Sequence, residues 1–452
     1  MRSAFFSIVN AGRAYSALFS AITAGAIFLA SHAAFGAVAS TATTESLIYG
    51  TSLSYLGAFA LPLGNYGTSD FTYGGNGLTF YRDPSTGMAT LFLEGHSPGQ
   101  VAQVAIPSQF VKSQNWSALP QASVIQPFTN ITQNTISQID PGNQTGNYIY
   151  GMLPYNGRLI LGASNTYSDT QTLSQAVLSS TSFSSATFSG WYKFSSLAPP
   201  RAVGGTMIMI PPEWQSLLGG PALAGEFGLS VVSTTSFGPT ATVFNPDDVG
   251  KLNPIPGTTL LFYPETNPAC GAVHCEDTQN DVFNLAIEYA GMAFPVGSRS
   301  ILFITMQGTG PYCYGYGVKD ASQATTFNSD GSIKTAVYGA DGVTLNCYDP
   351  IFFGDKGPHA YPYQDQILAY DANDLLAVKS GSMQTWQPKP YAIIPLTDMP
   401  PTWGIKGATY DSETGDLYIA SAYGDYPRID VYHINVSTSP TPSAPGSVTV
   451  NY

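Results

Sequence analysis

The side chains able to do chemistry in this sequence fall in a few separated stretches. Asp70, Glu94, Asp277, Asp281, Glu288 and Asp425 supply carboxylates, Arg201 and Lys406 supply cations, and His96, His274 and His359 supply imidazoles. Tyr314 and Trp403 add flat apolar surface to the same set. Aromatic walls with a few fixed hydrogen-bonding groups suit a polar, ring-shaped ligand. Breaking a glycosidic bond asks for two carboxyl groups across one site, one protonated and one ionised. Glu288 and Asp70 are the expected catalytic pair. Glu94, His96, Arg201, Asp277, Asp281, Tyr314, His359, Trp403, Lys406 and Asp425 are the expected substrate-binding residues, with Arg201 and Lys406 suited to a substrate carboxylate.

Other chemistries leave no signature. The sequence has no G-x-S-x-G elbow, P-loop, H-E-x-x-H helix or EF-hand loop, the usual marks of serine esterases, nucleotide enzymes, zinc proteases and calcium loops. His274 beside Cys275 matches no zinc-ligand spacing, so no metal is expected and the sequence assigns no cofactor. With 16 Lys+Arg against 29 Asp+Glu the net charge is −13. Such a surface repels phosphate backbones and speaks against nucleic acid, while the aromatic and carboxylate inventory above makes an oligosaccharide or polysaccharide the expected partner.

Loops this far apart in sequence can share a site only if the scaffold gathers them. Of the 452 residues, 13% are aromatic and 10% charged, with 46 Gly and 33 Pro. That is too apolar for disorder and too punctuated for helices, so an all-β fold is expected. A strand–turn–strand–loop–strand unit is plainest at 404–433, where an Asp411…Gly415 turn joins two short strands and a third follows in period-2 alternation.

The same order recurs at 77–106, 151–178, 205–244 and 291–370. In the third copy the second strand is expected at 229–233. Outer strands are expected at 123–127, 190–194, 258–263 and 391–396, and the fifth copy has none after it. The early segment 55–61 resembles 391–396 and fits that vacancy. Gly77, Gly151, Gly205, Gly291 and Gly407 open the innermost strands, where close backbone approach favours glycine.

The unit resembles blades of NHL-type and related β-propeller repeats. The expected fold is a five-bladed β-propeller of four-stranded blades over 40–436, closed by an N-terminal outer strand, which would leave no free sheet edge. In a propeller the second-to-third strand loops and the blade-to-blade loops share one face. All the residues singled out above lie on such loops, and the tight turns fall on the other face. Glu288, three residues before Gly291, is expected near the axis, where burial suits a general acid. In architecture alone the chain resembles five-bladed glycan-cleaving propellers such as the arabinanase-like and levanase-like glycosidases. That resemblance implies a glycoside hydrolase or lyase and carries over no individual residue.

The termini suggest export. Arg2 and Arg13, the apolar run 15–30 and Ala37-Val38-Ala39 read as a signal peptide over 1–39, with a membrane anchor as the rival reading. A secreted, periplasmic or cell-surface location follows, with no later bilayer span. There, Cys270–Cys275 and Cys313–Cys347 are the favoured disulfides among three possible pairings. Residues 437–452 read as a Pro/Ser-rich linker or tail. Two further functions fit the same features: a non-catalytic carbohydrate- or protein-binding propeller, and a metal- or quinone-dependent propeller enzyme.

Overall fold

The computed structural model describes residues 41–228, 234–265, 283–400, 404–421 and 424–436. The signal-peptide segment, the 437–452 tail and the Cys270–Cys275 pair lie outside the described residues.

Most of the strands pair antiparallel in groups of four, and the fourth and fifth groups are joined edge to edge in one eight-stranded sheet. The first group runs Thr79–Arg82, Ala89–Glu94, Gln100–Ala105, Ser123–Asn130, and the second Asn147–Tyr155, Arg158–Asn165, Gln175–Leu178, Phe188–Tyr192. The third runs Met207–Met209, Ala222–Ala224, Ala241–Phe244, Ile255–Leu261, with Phe194–Ser195 added in parallel at its outer edge. The fourth is Ile287–Ala293, Ser300–Gly308, Tyr363–Asp371, Ala392–Pro395. The fifth takes Gly407–Asp411, Asp416–Ser421 and Arg428–Ile434 from one end of the described chain and Leu53–Ala60 from the other. Leu53 pairs with Ile434 and Ala60 with Arg428 in that last contact.

Turn chemistry sets the hairpins. Asp411 Oδ1 accepts from Glu413 N at 3.0 Å, its Oδ2 from the Thr414 hydroxyl at 2.9 Å, and Gly415 follows at φ 82°. Asp83 caps the 83–87 turn in the same way, accepting from Ser85 N at 2.7 Å and Thr86 N at 3.1 Å.

The third group departs from expectation. Its second strand is the three-residue Ala222–Ala224, reached through the helix Pro212–Leu218, and 229–233 lies outside the described residues. Three residues are too few to display a period of two, so the strand leaves no pattern to read.

Ser300–Gly308, in the middle of its sheet, is covered on both faces and has no exposed residue. The apolar core is divided into layers between consecutive groups. Phe92 and Val101 meet Ile149 and Leu159; Ile160 and Val177 meet Met207 and Phe244; Leu223 and Val243 meet Met292 and Phe303. Leu302 and Ile367 then meet Leu417 and Tyr432, while Leu417's neighbours Tyr418 and Ala420 join Ile429 against Leu91 and Val104 of the first group. Each fully buried Leu, Ile or Phe contributes about 1.5–3 kcal/mol by leaving water.

The innermost strands approach closely enough to exclude side chains. A Cβ on Gly151 would lie 1.8 Å from the Gly205 carbonyl oxygen, and one on Gly291 would lie 2.3 Å from that of Ala408.

Between its second and third strands the fourth group carries a long excursion. There Cys313–Val318 pairs with Lys356–His359 antiparallel and with Leu345–Tyr348 in parallel. The expected Cys313–Cys347 disulfide ties this small sheet together. Among the described residues no helix is long and apolar enough to cross a membrane.

Candidate functional site

A cavity of about 260 Å³ opens among the second, third and fourth groups and the disulfide-tied excursion. The inner strand Asn147–Tyr155 contributes Tyr150, whose ring stacks on Phe227 with centroids 3.8 Å apart and planes 11° from parallel. Burial, with Glu94 and Glu288 nearby, pushes the Tyr150 phenol well above its ordinary value, so it stays a neutral donor. Leu285, Ile287, Met306 and Phe352 add apolar wall.

Glu288 enters from the start of the inner strand Ile287–Ala293. Its side chain keeps 30% exposure, and Oε2 stands 3.6 Å from Nζ of Lys406. Lys406 is 15% exposed and lies 6.0 Å from the Phe227 ring centroid. Glu288 is therefore less enclosed than a buried general acid would be. Its ammonium neighbour suits the partner that carries negative charge.

The excursion supplies a polar cluster. Asp349 is fully buried, and its Oδ2 lies 2.8 Å from His359 Nδ1 and accepts from Tyr363 OH at 2.6 Å. Burial alone would raise the Asp349 carboxyl. The bonds from His359, Tyr363 and the Phe352 and Ile351 amides outweigh it and hold the carboxyl below the usual range. His359 Nε2 faces the Asp355 carbonyl at 3.3 Å, so both ring nitrogens meet acceptor oxygens. His359, Tyr363 and Asp355 all line the cavity.

Two acids sit deeper. Glu94 is fully buried, and its Oε1 accepts from Gly99 N at 2.7 Å and Ile149 N at 3.1 Å. Burial pushes its carboxyl up to about 8 against those bonds. Glu226, one residue before Phe227, accepts from Ser236 N at 3.0 Å, and burial drives it well above the carboxylate range. At neutral pH Glu94 is therefore mostly protonated.

The expected site residues therefore separate. Glu288, Arg201 and His359 line the cavity, Lys406 adjoins it through Glu288, and Glu94 lies behind it. Arg201 is buried, donating to the carbonyls of Asn165, Thr166 and Ser168. Burial pulls its guanidinium down to about 10, against Glu226, Tyr150 and Asp140, and it remains a cation.

Asp70 is not among the cavity-lining residues: Oδ1 accepts from Thr72 N at 2.9 Å, forming a local turn. His96 is exposed, packed edge-on against Tyr73 at 6.0 Å, and Asp425 is exposed in the 424–427 loop. Tyr314 is exposed on the excursion strand opposite Pro358. Asp277, Asp281 and Trp403, with His274, lie outside the described residues.

Sequence reasoning passes over Tyr150, Phe227, Glu226, Asp349 and Asp355, and places Tyr363 on the loop-bearing face without a role. Tyr150 could have been found by its place beside Gly151 on an innermost strand. The excursion residues carry no such signal, because a three-stranded sheet and a disulfide bring them to the cavity.

No family model and no curated protein matches the sequence. Among solved structures, the chain is similar to the native Bacillus subtilis arabinanase, at 12% identity and a TM-score of 0.41, over 84% of this chain and 96% of that one. It is also similar to a member of the DUF4221 family from Bacteroides vulgatus, at 10% identity and a TM-score of 0.34, over 87% of this chain and all of that one.

Proposed function

We propose that residues 40–436 form one five-bladed propeller, that residues 1–39 direct it out of the cytoplasm, and that its cavity binds and cleaves a glycan. Closure is supported by the pairing of Leu53–Ala60 with Arg428–Ile434 and by five core layers that run from group to group and back to the first. The twisted sheets then have no exposed inner edge.

The observation that carries the functional reading is that two acidic residues, Glu288 and Asp355, line one cavity walled by the Tyr150–Phe227 stack. The aromatic faces suit the C–H surface of a sugar ring, and Asn165, Ser164 and Thr166 offer hydrogen bonds to its hydroxyls. Glu288, beside the Lys406 ammonium, takes the anionic role, attacking the anomeric carbon or deprotonating water. A proton for the departing glycosidic oxygen comes from the excursion side of the cavity, where Asp355 is the second acid of the lining.

The test is incubation of the purified chain with neutral and acidic polysaccharides, products being read by mass spectrometry for the wild type and for Glu288→Gln. The reading requires shorter saccharides from the wild type and none from the variant. Saturable binding without product would assign a binding role alone, and neither binding nor product would refute the proposal.

A further inference from the structure

Beside the cavity, Asn165 and Thr166 form part of the rim, and Tyr167 follows directly with 62% of its surface exposed. Single exposed aromatics are common and loops that carry them are usually loose. This one is gripped from beneath. Arg201 donates through Nε to the Asn165 carbonyl at 3.0 Å, through Nη2 to that of Thr166 at 3.2 Å, and through Nη1 to that of Ser168 at 3.1 Å.

The remaining carbonyl, that of Tyr167, accepts from Asn143 Nδ2 at 2.8 Å. Thr234 donates a second bond to Ser168 O at 2.8 Å, and Tyr167 N donates to Asn165 Oδ1 at 2.8 Å. Four consecutive carbonyls are thus held, three of them by a cation that is itself only 2% exposed. A buried guanidinium spent on backbone oxygens fixes a surface loop, while the ring at its centre is left uncovered.

We infer that Tyr167 is a second saccharide subsite, a stacking platform at the cavity rim for the sugar next to the one inside. This rests on the glycan reading above and makes its substrate class an oligosaccharide or polysaccharide chain instead of a single sugar. A tyrosine has few rotors to freeze, and a loop already fixed loses little further freedom on binding, so the ring binds without reorganisation. Arg201 is then a positioning residue acting through Tyr167.

The test is calorimetric titration of arabino-, xylo-, galacto- and cello-oligosaccharides of one to five units into the full wild-type chain and into Glu288→Gln, which spares the ligand. In the series that binds, affinity rises about tenfold from one unit to three, the gain expected of one aromatic stack. In Tyr167→Ala that gain disappears, and in Tyr167→Phe, which keeps the ring, it is retained. A gain that survives Tyr167→Ala, or affinity independent of length in the wild type, overturns the subsite while leaving the cavity reading intact. If no member of any series binds, the cavity reading falls and the subsite falls with it.

Discussion

Nζ of Lys406, at the entrance to the fifth group of strands, stands 3.6 Å from Oε2 of Glu288 at the start of the fourth. The pair spans a junction where two innermost strands run side by side, joined at Gly291 and Ala408. At 3.6 Å and with both side chains still touching solvent, the pair is worth on the order of 1 kcal/mol to folding. Glu288→Gln should therefore lower turnover by at least about a hundredfold, the usual range for losing an acid–base group. Its melting temperature should stay within a few degrees of the wild type. Turnover retained in the variant removes Glu288 from the chemistry.

The acid at position 94 gives stability a pH dependence of definite sign. Its carboxyl is raised from 4.5 to about 8 in the folded chain. Stability from the protonated form is complete below the unfolded value and is lost as pH rises through the folded one. The loss between pH 4.5 and 8 is on the order of 4 kcal/mol, and Glu226 adds a change of the same sign. Melting temperature should fall by several degrees between pH 5 and pH 8. Glu94→Gln keeps an oxygen for the Gly99 and Ile149 amides, so its melting curve should depend less steeply on pH. A wild-type midpoint that rises over this interval contradicts the assignment.

Close approach of the inner strands makes a sharp mutational contrast. The Cβ of Gly151→Ala would sit 1.8 Å from the Gly205 carbonyl oxygen, whereas that of Gly357→Ala meets nothing within 4 Å. The first change forces backbone apart and should cost several kcal/mol, appearing as insoluble or unfolded protein. The second should change stability by less than about 1 kcal/mol. Comparable urea midpoints for the two would mean that the inner strands are not packed this tightly.

Reduction should act on the cavity wall more than on the core. Cys313–Cys347 closes a loop with a sequence separation of 34, for which loop entropy gives roughly 3–4 kcal/mol. Replacing both cysteines by serine should speed hydrogen exchange at 313–318 and 345–348, while amides at 416–421, deep in the fifth group, keep their protection. Unchanged exchange in the excursion would show that its strands hold without the bond.

The sequence discloses the repeating part of this fold well, because each hairpin is written locally. Asp83 and Asp411 cap turns that end in Gly87 and Gly415, and alternating apolar residues flank them. The partnership of 53–60 with 428–434 is also legible, since a group lacking an outer strand must find one. Side-chain roles are less so. Arg201 reads as a ligand-binding cation, yet its carbonyl partners come from a loop 33–36 residues earlier. Asp70 reads as a catalytic carboxylate, yet it serves the amide two residues on. Asp349 gains its meaning only when the excursion folds back to place His359 and Tyr363 against it.

Crystals of the Glu288→Gln chain soaked with a tri- or tetrasaccharide from the series it binds would test the central claim most directly. The account predicts one sugar ring inside the cavity, within about 4 Å of Tyr150 or Phe227 and of the residue-288 side chain. Saccharide density confined to another surface, with the cavity unentered, would contradict it.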